Sequence, residues 1–217
     1  MPKTYKKLLS SIICTCIMTL FIAGTAFADA KHDAEETLRQ AVNEISHKLN
    51  NANLHNITED SAIVSELEGM ILNIFSMNQF SMRTVGRKWT KFTPTQKTQF
   101  KDAFIQLLKA TYFKHVSEYE GQNLDILGAR TNKAGTKVEV RTTVKFKNES
   151  VPVNYRMLVE NGKWMVYDVL VEGVSLVKNY RTQFKELLRK GTPDELITKL
   201  KDKAERVRQQ QAAADKK

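Results

Sequence analysis

The chain has 217 residues, with 34 Lys+Arg against 24 Asp+Glu and 41% hydrophobic residues. That suffices for one medium domain or two small ones with an ordinary core, and it excludes collagen-like, coiled-coil-only and wholly disordered classes. A multi-pass membrane protein is excluded as well, because the one long apolar stretch sits at the extreme N-terminus.

That stretch has the layout of an export signal. Lys3, Lys6 and Lys7 form a basic start, an apolar run follows from Leu8, and Ala26-Phe27-Ala28 makes a small-x-small cleavage pattern before Asp29. Residues 1–28 are therefore read as a signal peptide cut after Ala28. Its loss takes three lysines and no acid, lowering the formal charge of +10 by three. It also takes Cys14 and Cys16, the only two cysteines. Neither follows the small residue a lipoprotein signal requires, so a soluble exported protein without disulfides is expected.

From Asp29 to about Glu120 the hydrophobic period is helical. Leu38, Val42, Ile45 and Leu49 share one face. A second helix, expected after a Thr58–Asp60 cap, carries Ile63, Leu67, Met70, Ile71 and Ile74, and a third runs from about Gln79 to near Trp89. Thr93 caps a fourth with Pro94 in first position; Phe100, Phe104, Leu107, Leu108, Thr111 and His115 line one stripe of it.

From about Gly121 the period becomes two. Leu124 and Ile126 open a strand, and Val138, Val140, Thr142, Val144 and Phe146 alternate with polar residues in the next. Val151, Val153, Tyr155, Met157 and Val159 make a third, which Asn161-Gly162 turns into Lys163–Val171. The expected fold is α+β, a curved four-stranded antiparallel sheet whose apolar face is wrapped by about six to seven helices. On the last strand, Trp164, Val166 and Leu170 compete with Met165, Tyr167 and Val169 for the inner face. Helical spacing returns with Val174, Val177, Tyr180, Phe184, Leu187 and Leu188, and a last helix starts at Thr192-Pro193. Residues 29–202 form the single domain; 203–217 are polar and expected to fray into a disordered tail.

Chemical motifs are sparse. His32, His47, His55 and His115 are scattered, without metal-ligand spacing, and there is no phosphate loop or dinucleotide fingerprint. Gly173-Val174-Ser175 is half of a nucleophile elbow, better read as a strand end and a helix start. Asp168 or Glu172 in an apolar cavity could act as a general base; pairing with Arg156, Arg181 or a backbone amide is the structural reading. Lys and Arg are spread without the basic–aromatic strip of a nucleic-acid binder, and no nucleic-acid partner is expected.

The segment from Gly162 to Phe184, with Trp164-Met-Val-Tyr-Asp-Val-Leu-Val-Glu-Gly-Val-Ser-Leu-Val-Lys-Asn-Tyr-Arg at its centre, resembles the signature of the MlaC family, also called toluene-tolerance proteins. The likeness extends through Val151-Pro-Val-Asn-Tyr-Arg, Tyr119-Glu-Gly, Thr93-Pro-Thr-Gln, Val85-Gly-Arg-Lys-Trp and Leu188-Arg-Lys-Gly. Phe75-Ser76-Met77-Asn78 departs from it, standing where members often have Pro and Asp.

The resemblance implies a periplasmic carrier without catalytic activity, metal or cofactor, holding a glycerophospholipid as cargo. It implies exchange between an outer-membrane lipoprotein–porin complex and an inner-membrane Mla ABC transporter, which maintains outer-membrane lipid asymmetry. The implied fold is similar to the nuclear-transport-factor-2 type, with acyl tails in an apolar pocket. Helix stripes, strand alternation and that family picture together nominate Val85, Trp89, Phe104, Leu108, Tyr112, Val140, Val144, Val153, Tyr155, Tyr167 and Val169 as its lipid-binding wall. A cavity enzyme using Asp168 or Glu172, or an exported protein-binding adaptor with a packed core, are the competing classes.

Overall fold

A computed structural model describes residues 22–52, 54, 57, 58, 60–117, 124–146 and 149–214, with side chains from 29 onward except 113–117, 146 and 214. Most of the signal segment, His55, and the side chains of His115 and Phe146 lie outside the described residues.

The helices are α1 (Ile22–Asn50), α2 (Ala62–Ile74), α3 (Met77–Val85), α4 (Pro94–Ser117), α5 (Leu176–Lys190) and α6 (Pro193–Ala214), with a 3-10 turn at Gly86–Lys91. The strands are β1 (Leu124–Thr131), β2 (Lys137–Phe146), β3 (Glu149–Glu160), β4 (Lys163–Val171) and β5 (Val174–Ser175), in one sheet of that order, antiparallel throughout.

Local chemistry sets most of the boundaries. Thr93 Oγ1 accepts from the Gln96 amide at 3.2 Å while Gln96 Oε1 accepts from the Thr93 amide at 3.0 Å, a reciprocal capping box behind Pro94. Thr192 and Glu195 repeat it at the start of α6. The β3–β4 hairpin turns on Asn161 and Gly162, both at positive φ (51° and 77°), as an Asn-Gly turn requires. Before α2 the cap is Ser61 rather than Thr58–Asp60, and its hydroxyl donates to the Thr58 carbonyl instead of capping.

In the departing segment, Ser76 caps α3 by accepting from the Gln79 amide at 3.1 Å. Its own amide donates to the Val166 carbonyl at 2.9 Å, pinning the α2–α3 joint to β4.

Among the described residues the sheet has five strands, not four. Glu172 and Gly173, at φ 50° and 79°, reverse the chain so that Leu170 pairs with Ser175 and Val171 with Val174. Two residues are too short to show a period of two, so the sequence reads Val174 as helix. The polar end also differs from expectation. The chain stays helical to Ala214, with Ala204 buried, Val207 packed on the core and Gln211 Nε2 donating to the Ala110 carbonyl at 3.0 Å. One narrow apolar edge against α4 holds this helix although most of its circumference is polar.

Two apolar cores result. The helical core joins α3 to α6: Phe80, Trp89, Phe92, Phe100, Phe104, Tyr180 and Phe184 meet in a continuous chain of rings at 4.9–5.8 Å. The sheet core joins α1 and the end of α2 to the sheet, with Ala34, Leu38 and Ile74 against Val138, Val140, Met157, Val166 and Val169.

A bulge settles the face of β4. Arg156 pairs with Asp168 but Met157 pairs with Val166, leaving Tyr167 as the extra residue. Val166 and Val169 therefore enter the same core, and each of the two alternating sets is correct on only one side of Tyr167.

Candidate binding groove

Between the cores lies a cavity of about 220 Å³ with almost wholly apolar walls. α2 supplies Val64, Leu67, Ile71 and Leu72; α4 supplies Ile105, Leu108 and Tyr112. The α2–α3 joint adds Phe75, Met77 and Phe80, and Val169 and Leu176 close the sheet end. The two long sides belong to different bodies: α2 packs on α1 and β4, whereas α4 packs on α6 and α3. Ile71 and Tyr112 remain 40% and 39% exposed at the opening. Two charged side chains reach it, Glu68 and Lys109, and they pair at 3.2 Å.

Of the sequence-nominated wall, Leu108, Tyr112 and Val169 line this groove. Val85, Trp89 and Phe104 are packed into the helical core, because the stripe that carries Phe104 on α4 is the one facing α3, α5 and α6. Val140 is fully buried in the sheet core, with Val153 and Tyr155 half-buried against it. Val144 is half-buried on β2, opposite Leu124 and Val151. Tyr167, turned by the bulge, lies under the Arg83 guanidinium, 4.3 Å from its ring centroid, and beside Glu139 and Arg156.

The missed residues are mainly those of α2. Val64, Leu67, Ile71 and Ile74 with Met70 and Leu72 spread apolar groups over more than one face, wider than one buried stripe needs. That breadth was the available signal.

The buried carboxylate near the seam is satisfied. Asp168, 2% exposed, accepts from Ser175 Oγ at 2.7 Å, the Val177 amide at 3.0 Å and Arg156 Nη1 at 3.2 Å. It is thereby bound to the first turn of α5, where a carboxylate meets the positive helix end. Every short contact of this carboxylate is structural, and the base reading loses its geometric support. Burial pushes the Tyr155 phenol up to about 12 and that of Tyr180 likewise; Tyr180 also bonds Thr111 and Tyr112. Among the described residues no cluster of His, Cys, Asp and Glu could hold a metal ion, and no helix is long and apolar enough to cross a membrane.

The family model described as "MlaC protein" matches residues 39–202. A Haemophilus influenzae protein named intermembrane phospholipid transport system binding protein MlaC is 22% identical over 197 residues, 88% of this chain and 91% of that protein. The toluene tolerance protein ttg2D of Pseudomonas putida is 30% identical over 105 residues, 48% of each. A phospholipid-binding protein from Ralstonia solanacearum, solved in complex with a phospholipid, superposes with a TM-score of 0.75 at 26% identity, covering 81% of this chain and 98% of that one.

Proposed function

This chain belongs to the MlaC family, and from that membership and the groove between its cores we propose that it is a periplasmic glycerophospholipid carrier. The observation that carries the reading is the groove itself: an apolar slot, open at one side, in a chain that superposes on a phospholipid-bound relative. Two acyl chains hold about thirty methylenes, each worth about 0.8 kcal/mol when hidden from water. Bare passage through an aqueous compartment would then cost on the order of 20 kcal/mol, and a dry slot removes most of that by exchanging one apolar medium for another.

The groove, about 220 Å³ as it stands, is smaller than the roughly 300–1,000 Å³ usual for ligand sites. Loading therefore requires α2 to move away from α4. The two-core construction permits this, because the sides of the groove are anchored to separate packed bodies and can part without opening either.

Export fits the same reading. Cleavage after Ala28 would start α1 at Asp29 and bring Asp33 close to its first turn, where negative charge is favoured; the uncut helix has no acid in its first turn. The carrier would receive and deliver lipid at an outer-membrane lipoprotein–porin complex and an inner-membrane Mla ABC transporter, keeping the outer leaflet free of misplaced phospholipid. On this reading the layered sheet and helices would be a variant of the nuclear-transport-factor-2 type of architecture.

Native mass spectrometry of protein purified from a periplasm without detergent tests the function. A stoichiometric excess mass that extracts as phospholipid is the expected result. A bare mass with no uptake from added liposomes would refute it and favour a protein-binding adaptor.

A further inference from the structure

Among the described residues the groove contains one ion pair, in a wall that is otherwise mainly apolar. Lys109 Nζ on α4 meets Glu68 Oε2 on α2 at 3.2 Å, with side chains 15% and 29% exposed. The pair bridges the two sides that separate when the groove widens, so an occupant thick enough to part α2 from α4 stretches or breaks it. The partners then fare differently. Glu68, the more exposed, can turn to water. Lys109 is more deeply held, beside Leu108 and Tyr112, and an ammonium left there without an anion is strongly disfavoured. An occupant that brings its own anion to the mouth removes that penalty.

We propose that Lys109 is the phosphate-recognising residue of this groove: on loading it exchanges the Glu68 carboxylate for the phosphodiester of the lipid whose tails fill the slot. This rests on the carrier reading and adds a selectivity to it. Tails alone bind through buried area, which a diacylglycerol offers as well as a phospholipid of the same chains. Only the phospholipid satisfies Lys109, through a charge-assisted hydrogen bond. The displaced Glu68 keeps the empty protein closed and its lysine paired.

The test offers the purified protein phosphatidylcholine vesicles doped equally with dioleoylphosphatidylethanolamine and dioleoylglycerol, and measures the ratio of the two in the protein by mass spectrometry. Lys109→Met, which keeps an apolar stem and removes the unpaired ammonium that diacylglycerol leaves behind, should lower the phospholipid-to-diacylglycerol ratio by about tenfold. Lys109→Arg should retain the ratio, and Glu68→Gln should retain it while loading faster. An unchanged ratio in Lys109→Met overturns the proposal. So does a ratio lost equally in Glu68→Gln, which would assign the effect to helix placement. Inorganic phosphate at millimolar concentration should not block loading; if it does, Lys109 serves a free anion and the lipid assignment fails. Uptake of no lipid at all by the unaltered protein, the phosphatidylcholine of the vesicles included, would sink the carrier reading itself, whereas uptake of both added lipids with a Lys109-independent ratio sinks only this proposal.

Discussion

Replacing Asp168 separates the structural from the chemical meaning of the one buried carboxylate at the seam. In Asp168→Ala, the Val177 amide loses its acceptor inside the fold, at a cost of about 1–3 kcal/mol. The Ser175 hydroxyl loses its acceptor as well, although its oxygen still caps α5 by accepting from the Lys178 amide at 3.0 Å, so about 1 kcal/mol is assigned to it. Arg156 keeps Glu139 at 2.9 Å and stays partly in water, adding little. The expected loss is about 2–4 kcal/mol, a large part of the roughly 5–15 kcal/mol that stabilises an ordinary domain. A domain of this size should then melt about 10 °C lower.

Asp168→Asn retains one acceptor and should lose about half as much. Urea unfolding of both variants, with lipid occupancy measured on the folded Asn form, is the assay. Occupancy should survive in Asp168→Asn, because no atom of Asp168 lines the groove. An Ala variant within about 0.5 kcal/mol of the unaltered protein would refute the hydrogen-bond reasoning. A stable Asn variant that had lost a measurable turnover would revive the enzyme.

Ile71→Trp places an indole at the exposed edge of the groove without touching either core. Taking the ~30 Å³ of a water as the volume of a methylene, it displaces about two methylenes of tail, and retention should weaken by roughly tenfold with unfolding unchanged. Liposome extraction measures the first and thermal melting the second; unimpaired extraction would place the tails elsewhere. The pH dependence follows from Tyr155, whose phenol rises from 10.0 to about 12 on folding. Its contribution is complete below pH 10 and is lost as pH rises through about 12, since the unfolded chain releases that proton first. Tyr155→Phe should flatten the fall in urea midpoint between those values, and an unchanged alkaline slope would contradict the burial of the hydroxyl.

Much of this molecule is decided within a few residues of chain. Ser76, Thr93-Pro94 with Gln96, Ser175 and Thr192 with Glu195 start helices because each binds an amide one turn away, and Asn161-Gly162 turns β3 into β4 because those residues tolerate positive φ. Such contacts need no partner from elsewhere, so sequence alone determined the starts of α4, α5 and α6, the order of four strands and the α+β class, whereas it places the starts of α2 and α3 a few residues off. The signature from Trp164 to Phe184 carried the family resemblance.

What covers each apolar face depended on the assembled fold. Periodicity records that Phe104 and Leu108 both avoid water, but only packing puts the first among aromatic rings and the second beside an open groove. A single extra residue at Tyr167 changes which side of β4 faces inward, and two paired residues make β5 where no period could register. The groove itself belongs to no segment. It exists because two separately packed cores meet imperfectly, with α2 anchored to one and α4 to the other.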